Sequence, residues 1–158
     1  MKKYILLLIV PFLLFTTNSY SQYTGATPWA DCYGKNIGCD YYGCSSITVT
    51  TSPSEPVVAI VKKNDRIIKH AYISKNSSYT FELKDGTYQV FFYYGENWVS
   101  NLYMPSDDCN LLTGGWSLNA SVSKDDPITL KNQTMEYTLT LRTYGNFTPD
   151  KSSLKEVF

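Results

Sequence analysis

Four cysteines, one histidine, two pairs of adjacent acids and a group of aromatic side chains are the residues of this chain equipped to do chemistry. Cys32, Cys39, Cys44 and Cys109 make an even set, which in an exported chain points to disulfides and elsewhere to a metal. A four-thiolate zinc site usually draws its ligands from close C-x2–4-C pairs. The gaps here are six, four and sixty-four residues, so disulfides are expected and no metal or other cofactor is. Three pairings are possible. The favoured one joins Cys32 to Cys39, around a short loop holding Gly34 and Gly38, and Cys44 to Cys109, from the first strand to a long loop. Loop-closure entropy would make the long bridge worth about 4 kcal/mol and the short one about 2.5 kcal/mol.

His70 is the single histidine, and neither a G-x-S-x-G motif nor a second imidazole accompanies it. It lies in an apolar strand pattern and is expected to be structural. Asp107-Asp108 and Asp125-Asp126 are loop acids that could hold Ca²⁺ or act as acid and base. Neither sits in a D-x-D-x-D-G loop, and Asp126 precedes Pro127 as turn acids often do. The more informative set is Phe91, Tyr93 and Trp98. If Asp85-Gly86 makes a hairpin turn, Phe91 and Tyr93 stand on an otherwise polar strand face, opposite Thr80 and Ser78. Trp98 follows a Gly-Glu-Asn turn. Aligned exposed aromatics form stacking surfaces for sugars or partners. The alternative is internal cover, with Trp29 and Tyr33 as the covering rings, and it is the favoured one.

The elements that must position these residues are strands. Ser46–Thr51 alternates with Ile47 and Val49 on one side. A first hairpin turns at Asn64-Asp65, pairing Lys63 with Arg66, Val61 with Ile68, Ala59 with His70 and Val57 with Tyr72. A second turns at Asp85-Gly86, pairing Leu83 with Tyr88, Phe81 with Val90 and Tyr79 with Phe92. Trp116 to Val122, a short strand at Ile128–Leu130, and Met135 to Leu141 continue the period of two. About seven strands and no amphipathic helix predict an all-β fold, a single β-sandwich of prealbumin or Ig-like type. An irregular, disulfide-stapled N-terminal segment (22–45) precedes the sandwich (46–147), and a loosely ordered tail (148–158) follows it.

Residues 1–21 read as a cleavable secretory signal: Lys2 and Lys3, a 12-residue apolar run over 4–15 broken by Pro11, then Ser19-Tyr20-Ser21. A membrane span needs about 20 apolar residues, so no transmembrane anchor is expected. Two of the 14 basic residues leave with the signal while all 14 acids stay, for a net charge near −2. That balance argues against nucleic acid as a partner.

The stretches His70-Ala71-Tyr72-Ile73, Tyr79-Thr80-Phe81-Glu82-Leu83, Asp85-Gly86-Thr87-Tyr88-Gln89 and Phe91-Phe92-Tyr93-Tyr94-Gly95 carry a resemblance, together with Trp98. So do Gly114-Gly115, Ser123-Lys124-Asp125-Asp126-Pro127 and Gly145-Asn146-Phe147. The chain resembles small exported proteins of Bacteroidota without an established activity. Over residues 57–95 it is similar to transthyretin-like and carboxypeptidase-regulatory-like sandwiches. The resemblance implies a bacterial envelope or secreted protein with a prealbumin-like fold, and it assigns no catalytic residue. The sequons at Asn76, Asn119, Asn132 and Asn146 would matter only in a eukaryotic secretory pathway. The expectation is therefore a non-catalytic module, periplasmic or secreted, that binds a protein or carbohydrate partner. The alternatives are a metal-dependent hydrolase using the loop acids and a purely structural envelope component.

Overall fold

The computed structural model describes residues 22–40, 43–140 and 150–158; the signal-like stretch, Leu141 and Phe147 lie outside them. Two sheets pack face to face as an all-β sandwich. The smaller has the order β4 (Ser78–Lys84), β1 (Cys44–Thr50), β8 (Thr134–Thr138). Strand β1 runs antiparallel to β4 and parallel to β8. The larger has the order β3 (Arg66–Ile73), β2 (Val57–Lys63), β5 (Gly86–Tyr103), β6 (Thr113–Lys124), β9 (Asp150–Ser152), all antiparallel. The short β7 (Ile128–Leu130) pairs with the start of β5.

The first core fills the space between the sheets. Ile47, Val49, Phe81 and Leu83 of the small sheet meet Val57, Ala59, Val61, Val90 and Phe92 of the large one. These are the alternating positions expected to be buried, but one pairing differs. Asp85-Gly86 does not turn a hairpin, because β4 pairs with β1 and β5 pairs with β2. The chain changes sheet at this corner, so Phe81 and Leu83 meet Val90 and Phe92 across the core rather than side by side. Asp85 fixes the corner: its Oδ1 accepts from Ser45 Oγ at 2.7 Å and from the Asn132 backbone N–H at 2.8 Å. An Asp-Gly pair supplies a turn, but the strand edges on offer decide what the turn connects.

The first hairpin forms as expected at its tip, with Asn64 and Asp65 at φ 51° and 61° and Lys63 opposite Arg66. A bulge then inserts Ile68, since Lys62 pairs with Ile67 but Val61 with Lys69. The added residue shifts everything beyond it by one. His70 stands opposite Ile60 rather than Ala59, and Tyr72 opposite Val58 rather than Val57. Both side chains thereby move to the other face of the large sheet.

That face carries a second core. Val58, Ile60, Phe91, Tyr93, Trp116 and Val122 form its floor. The cover comes from three irregular pieces: the N-terminal segment with the single-turn α1 (Ala30–Tyr33), the 104–112 loop, and the C-terminal turn α2 (Leu154–Val157). The tail is thus not loose over its described part. Val157 and Phe158 are 2% and 8% exposed, and Lys62 Nζ donates to the carbonyls of Glu156 and Val157 at 2.8 and 3.3 Å. Lys124 and Glu156 add a salt bridge. The N-terminal segment also satisfies the free edge of β3. Gly25 N–H donates to Tyr72 O and Tyr72 N–H to Ala26 O, both at 2.8 Å. The Asn36 amide bonds both backbone groups of His70 at 2.9 and 3.2 Å. An edge so occupied cannot template pairing with another chain.

Candidate functional site

Phe91, Tyr93 and Trp98 belong to the second core and present no open stacking surface. Phe91 and Tyr93 are each 1% exposed. Trp29 lies over them, its ring 6.2 Å from those of both Tyr93 and Trp98, and its indole N–H donates to Gly114 O at 2.9 Å. The Tyr93 hydroxyl accepts from the Trp116 backbone N–H at 3.0 Å. Trp98 is half-buried, edge-on to Trp116 at 5.0 Å. Nor does Gly-Glu-Asn make a turn before it: Gly95, Glu96 and Asn97 lie within β5, at an irregularity in its pairing with β6. Gly95 is required there, because a Cβ would fall 2.4 Å from Cβ and Cγ of Trp116.

All four cysteines are in disulfides, with a connectivity other than the favoured one: Cys32–Cys109 and Cys39–Cys44. The fold gives the reason. Cys32 on α1 and Cys109 in the 104–112 loop both pack against the second core, outside the large sheet. Cys44 begins β1 in the small sheet, opposite Lys84, and its partner is the neighbouring Cys39. The long bridge therefore clamps two pieces of the cover to each other.

His70 is 0% exposed, with the Trp29 ring 5.4 Å and the Tyr33 ring 6.1 Å away. Neither ring nitrogen has a well-formed hydrogen bond. Burial pushes its pKa down to about 4, against a small opposing pull from the Gly34 carbonyl. The loop acids are not gathered into a site. Asp125 Oδ2 accepts from the Tyr137 hydroxyl at 2.7 Å, and its Oδ1 from the Asp126 N–H at 2.8 Å. The Asp107 N–H donates to Phe158 O at 3.0 Å. Among the described residues, no group of three or more His, Cys, Asp or Glu is placed to hold a metal ion.

The site that sequence reasoning missed is a cleft of about 610 Å³ beside Tyr94. Its origin is a mismatch in sheet width. Among the described residues the three-stranded sheet does not cover all of the wider one, and β6 and β9 overhang. On β6, Ser123 and Ser121 stand opposite Phe92 and Tyr94, and these small polar residues face the uncovered side. Val57, Tyr94 and Leu139 form the apolar part of the lining, and Glu55 and Lys151 add one charge of each sign. Burial pushes the Tyr94 phenol up to about 12; the approach of Ser123 lowers it and the Glu55 charge raises it. Ser123 Oγ is buried without a well-formed hydrogen bond. The only sequence signal was negative: Ser121 and Ser123 sit where the core pattern of Phe92 and Tyr94 would need apolar partners.

The protein is therefore an all-β sandwich with two cores and two disulfides, and among its described residues a cleft opens beside Tyr94. No helix among its described residues is long and apolar enough to cross a membrane. The two disulfides fit a compartment outside the cytoplasm. The sequence matches no protein-family model, and no curated protein matches it.

Proposed function

We propose that this chain is an exported, non-catalytic binding module of the bacterial envelope or surroundings, and that it binds at the cleft beside Tyr94. The observation that carries the reading is the overhang itself. A sandwich built only for structure would close that flank with apolar side chains, whereas here Ser121 and Ser123 face a space of about 610 Å³. The volume lies within the roughly 300–1,000 Å³ usual for small-molecule sites, and the mix of apolar wall and few polar groups is typical of them. Export is supported by the signal-like residues 1–21 and by the disulfides. It accords with the resemblance to small exported Bacteroidota proteins.

A ligand that binds only the folded state raises the melting temperature. A chemically mixed library of sugars, short peptides and small acids, screened by thermal shift, should yield compounds that stabilise the wild type and not Tyr94→Ala. A library whose active members stabilise both proteins equally would place binding elsewhere and overturn the assignment.

A further inference from the structure

We propose that a second recess, on the flank where β3 meets β4, binds a phosphate monoester, with Lys63 and Lys69 holding the phosphate and Ile37 and Ile68 receiving the organic group that carries it. The recess has a volume of about 290 Å³ and shares no residue with the cleft beside Tyr94. The inference stands apart from the reading of that cleft.

The bulge at Ile68 builds the recess. Beyond the bulge Lys69 stands opposite Val61, which belongs to the first core, so Lys69 is turned to the inner side of the large sheet. Lys63 follows Val61 by two residues on β2 and shares that side. Two ammonium groups thus stand where the core pattern would continue with apolar side chains. A strap from the N-terminal segment closes the flank. Lys69 Nζ donates to Ile37 O, the Cys39 N–H donates to Glu82 Oε2 at 3.1 Å, and the Cys39–Cys44 bridge ties the strap to β1. Lys63 Nζ lies 5.2 Å from the centre of the Tyr88 ring, and a Cβ on Gly86 would fall 2.9 Å from it. Glycine at that position leaves the ammonium its place.

Charge selects the ligand. Lys63, Lys69 and Lys84 line the recess against one acid, Glu82, a surplus of two positive charges. A phosphate monoester carries about −1.5 to −2 at pH 7 and matches that surplus, whereas a carboxylate would answer half of it. Neither Lys63 nor Lys69 has a carboxylate within salt-bridge distance among the described residues. Burial pulls the Lys69 pKa down, with the Glu82 charge opposing, so its ammonium is partly stripped of water while its close partner is a carbonyl. An anion offsets that desolvation through charge-assisted hydrogen bonds, and lysine is a common point-charge partner of phosphate. The volume equals the share of about ten waters, more than the five heavy atoms of a phosphate fill. Ile37, 74% exposed, and the half-buried Ile68 offer apolar surface to the remainder of the ligand.

The test titrates the wild-type protein with phenyl phosphate and, separately, with benzoate, at pH 7 and fixed ionic strength, read by calorimetry and methyl NMR. Phenyl phosphate should saturate the protein and shift the Ile37 and Ile68 methyls, and benzoate should bind at least about tenfold more weakly. Lys63→Gln should weaken phenyl phosphate by about tenfold, the effect of one lost charged hydrogen bond, and Lys63→Gln with Lys69→Gln by more. The single variant keeps the test decisive if the double one folds poorly. Lys151→Gln, at the cleft beside Tyr94, should bind as the wild type does. Flotation with phosphatidylcholine vesicles that contain phosphatidic acid, lost in Lys63→Gln, would assign the phosphate to a lipid headgroup; phenyl phosphate binding without flotation would assign it to a soluble ester. Shifts that never saturate, equal affinity for benzoate, or binding that Lys63→Gln leaves unchanged would overturn the inference. None of these results bears on the cleft beside Tyr94, which Tyr94→Ala tests.

Discussion

Acidification should loosen this fold through His70 before it reaches the carboxylates. The imidazole is fully buried, neither nitrogen has a well-formed hydrogen bond, and its pKa falls from the ordinary 6.5 to about 4. Between those two values the unfolded chain binds a proton that the folded chain refuses, so stability rises with pH across that window. The contribution is complete above about pH 6.5 and is lost as the pH falls towards 4. A shift of this size corresponds to about 3 kcal/mol in all, of which about 2 kcal/mol falls between pH 7 and pH 5. The groups facing the ring are Trp29 and Tyr33 from the N-terminal cover and Ile60 from β2, with the Gly34 carbonyl beside it, and none of these is a carboxylate that would stabilise an imidazolium. Hydrogen bonds hold the carboxyls of Asp85 and Glu156 below their ordinary values, so they release stability only at lower pH. Urea denaturation of the wild type and of His70→Leu at pH 7, 6 and 5 separates the terms. The wild type should lose about 2 kcal/mol over this range, and the leucine variant should lose little. At pH 7 the variant should be no less stable than the wild type, because an apolar side chain removes two buried polar atoms that lack a well-formed hydrogen bond. A flat wild-type profile, or an equal slope in both proteins, would refute the reasoning.

Three further outcomes follow from the packing. Tyr93→Ala should destabilise the fold by about 3 kcal/mol or more, read by urea denaturation, because it empties the centre of the second core. Thiol titration of the unreduced, denatured protein should find no free thiol, and peptide mapping should join Cys32 to Cys109. Removing that bridge should cost about 4 kcal/mol and removing Cys39–Cys44 about 2 kcal/mol, as the loops they close differ in length. Gly95→Ala should lower stability by about 1–3 kcal/mol, read as a reduced melting temperature, since the added methyl would fall 2.4 Å from Cβ and Cγ of Trp116.

What could be read from the sequence was whatever depends on local alternation. Ile47, Val49, Phe81, Leu83, Val90 and Phe92 were assigned to a core face and occupy the first core. Trp29 and Tyr33 were named as covers for Phe91 and Tyr93, and both lie in or against the second core. What failed were the statements that depend on which elements become neighbours. The Asp85-Gly86 corner reads locally as a hairpin, and nothing local reveals that β1 takes the edge of β4. The bulge at Ile68 leaves no mark in a run of apolar and basic residues, yet it moves His70 and Tyr72 from one face to the other. Disulfide connectivity follows the three-dimensional position of α1 and the 104–112 loop, which spacing along the chain does not encode. The tail escaped notice because its two apolar anchors, Val157 and Phe158, follow a polar stretch without a period. The cleft depends on the unequal widths of two sheets, a property of no single segment.

Methyl-resolved NMR during titration with a library compound that raises the melting temperature of the wild type tests the functional account most directly. The account predicts shifts at Val57 and Leu139, which line the cleft, and none at Ile60 or Leu112 in the second core. Shifts confined to Leu111 in the 104–112 loop and Leu118 on β6, which are 78% and 55% exposed, would contradict it and move the binding surface there.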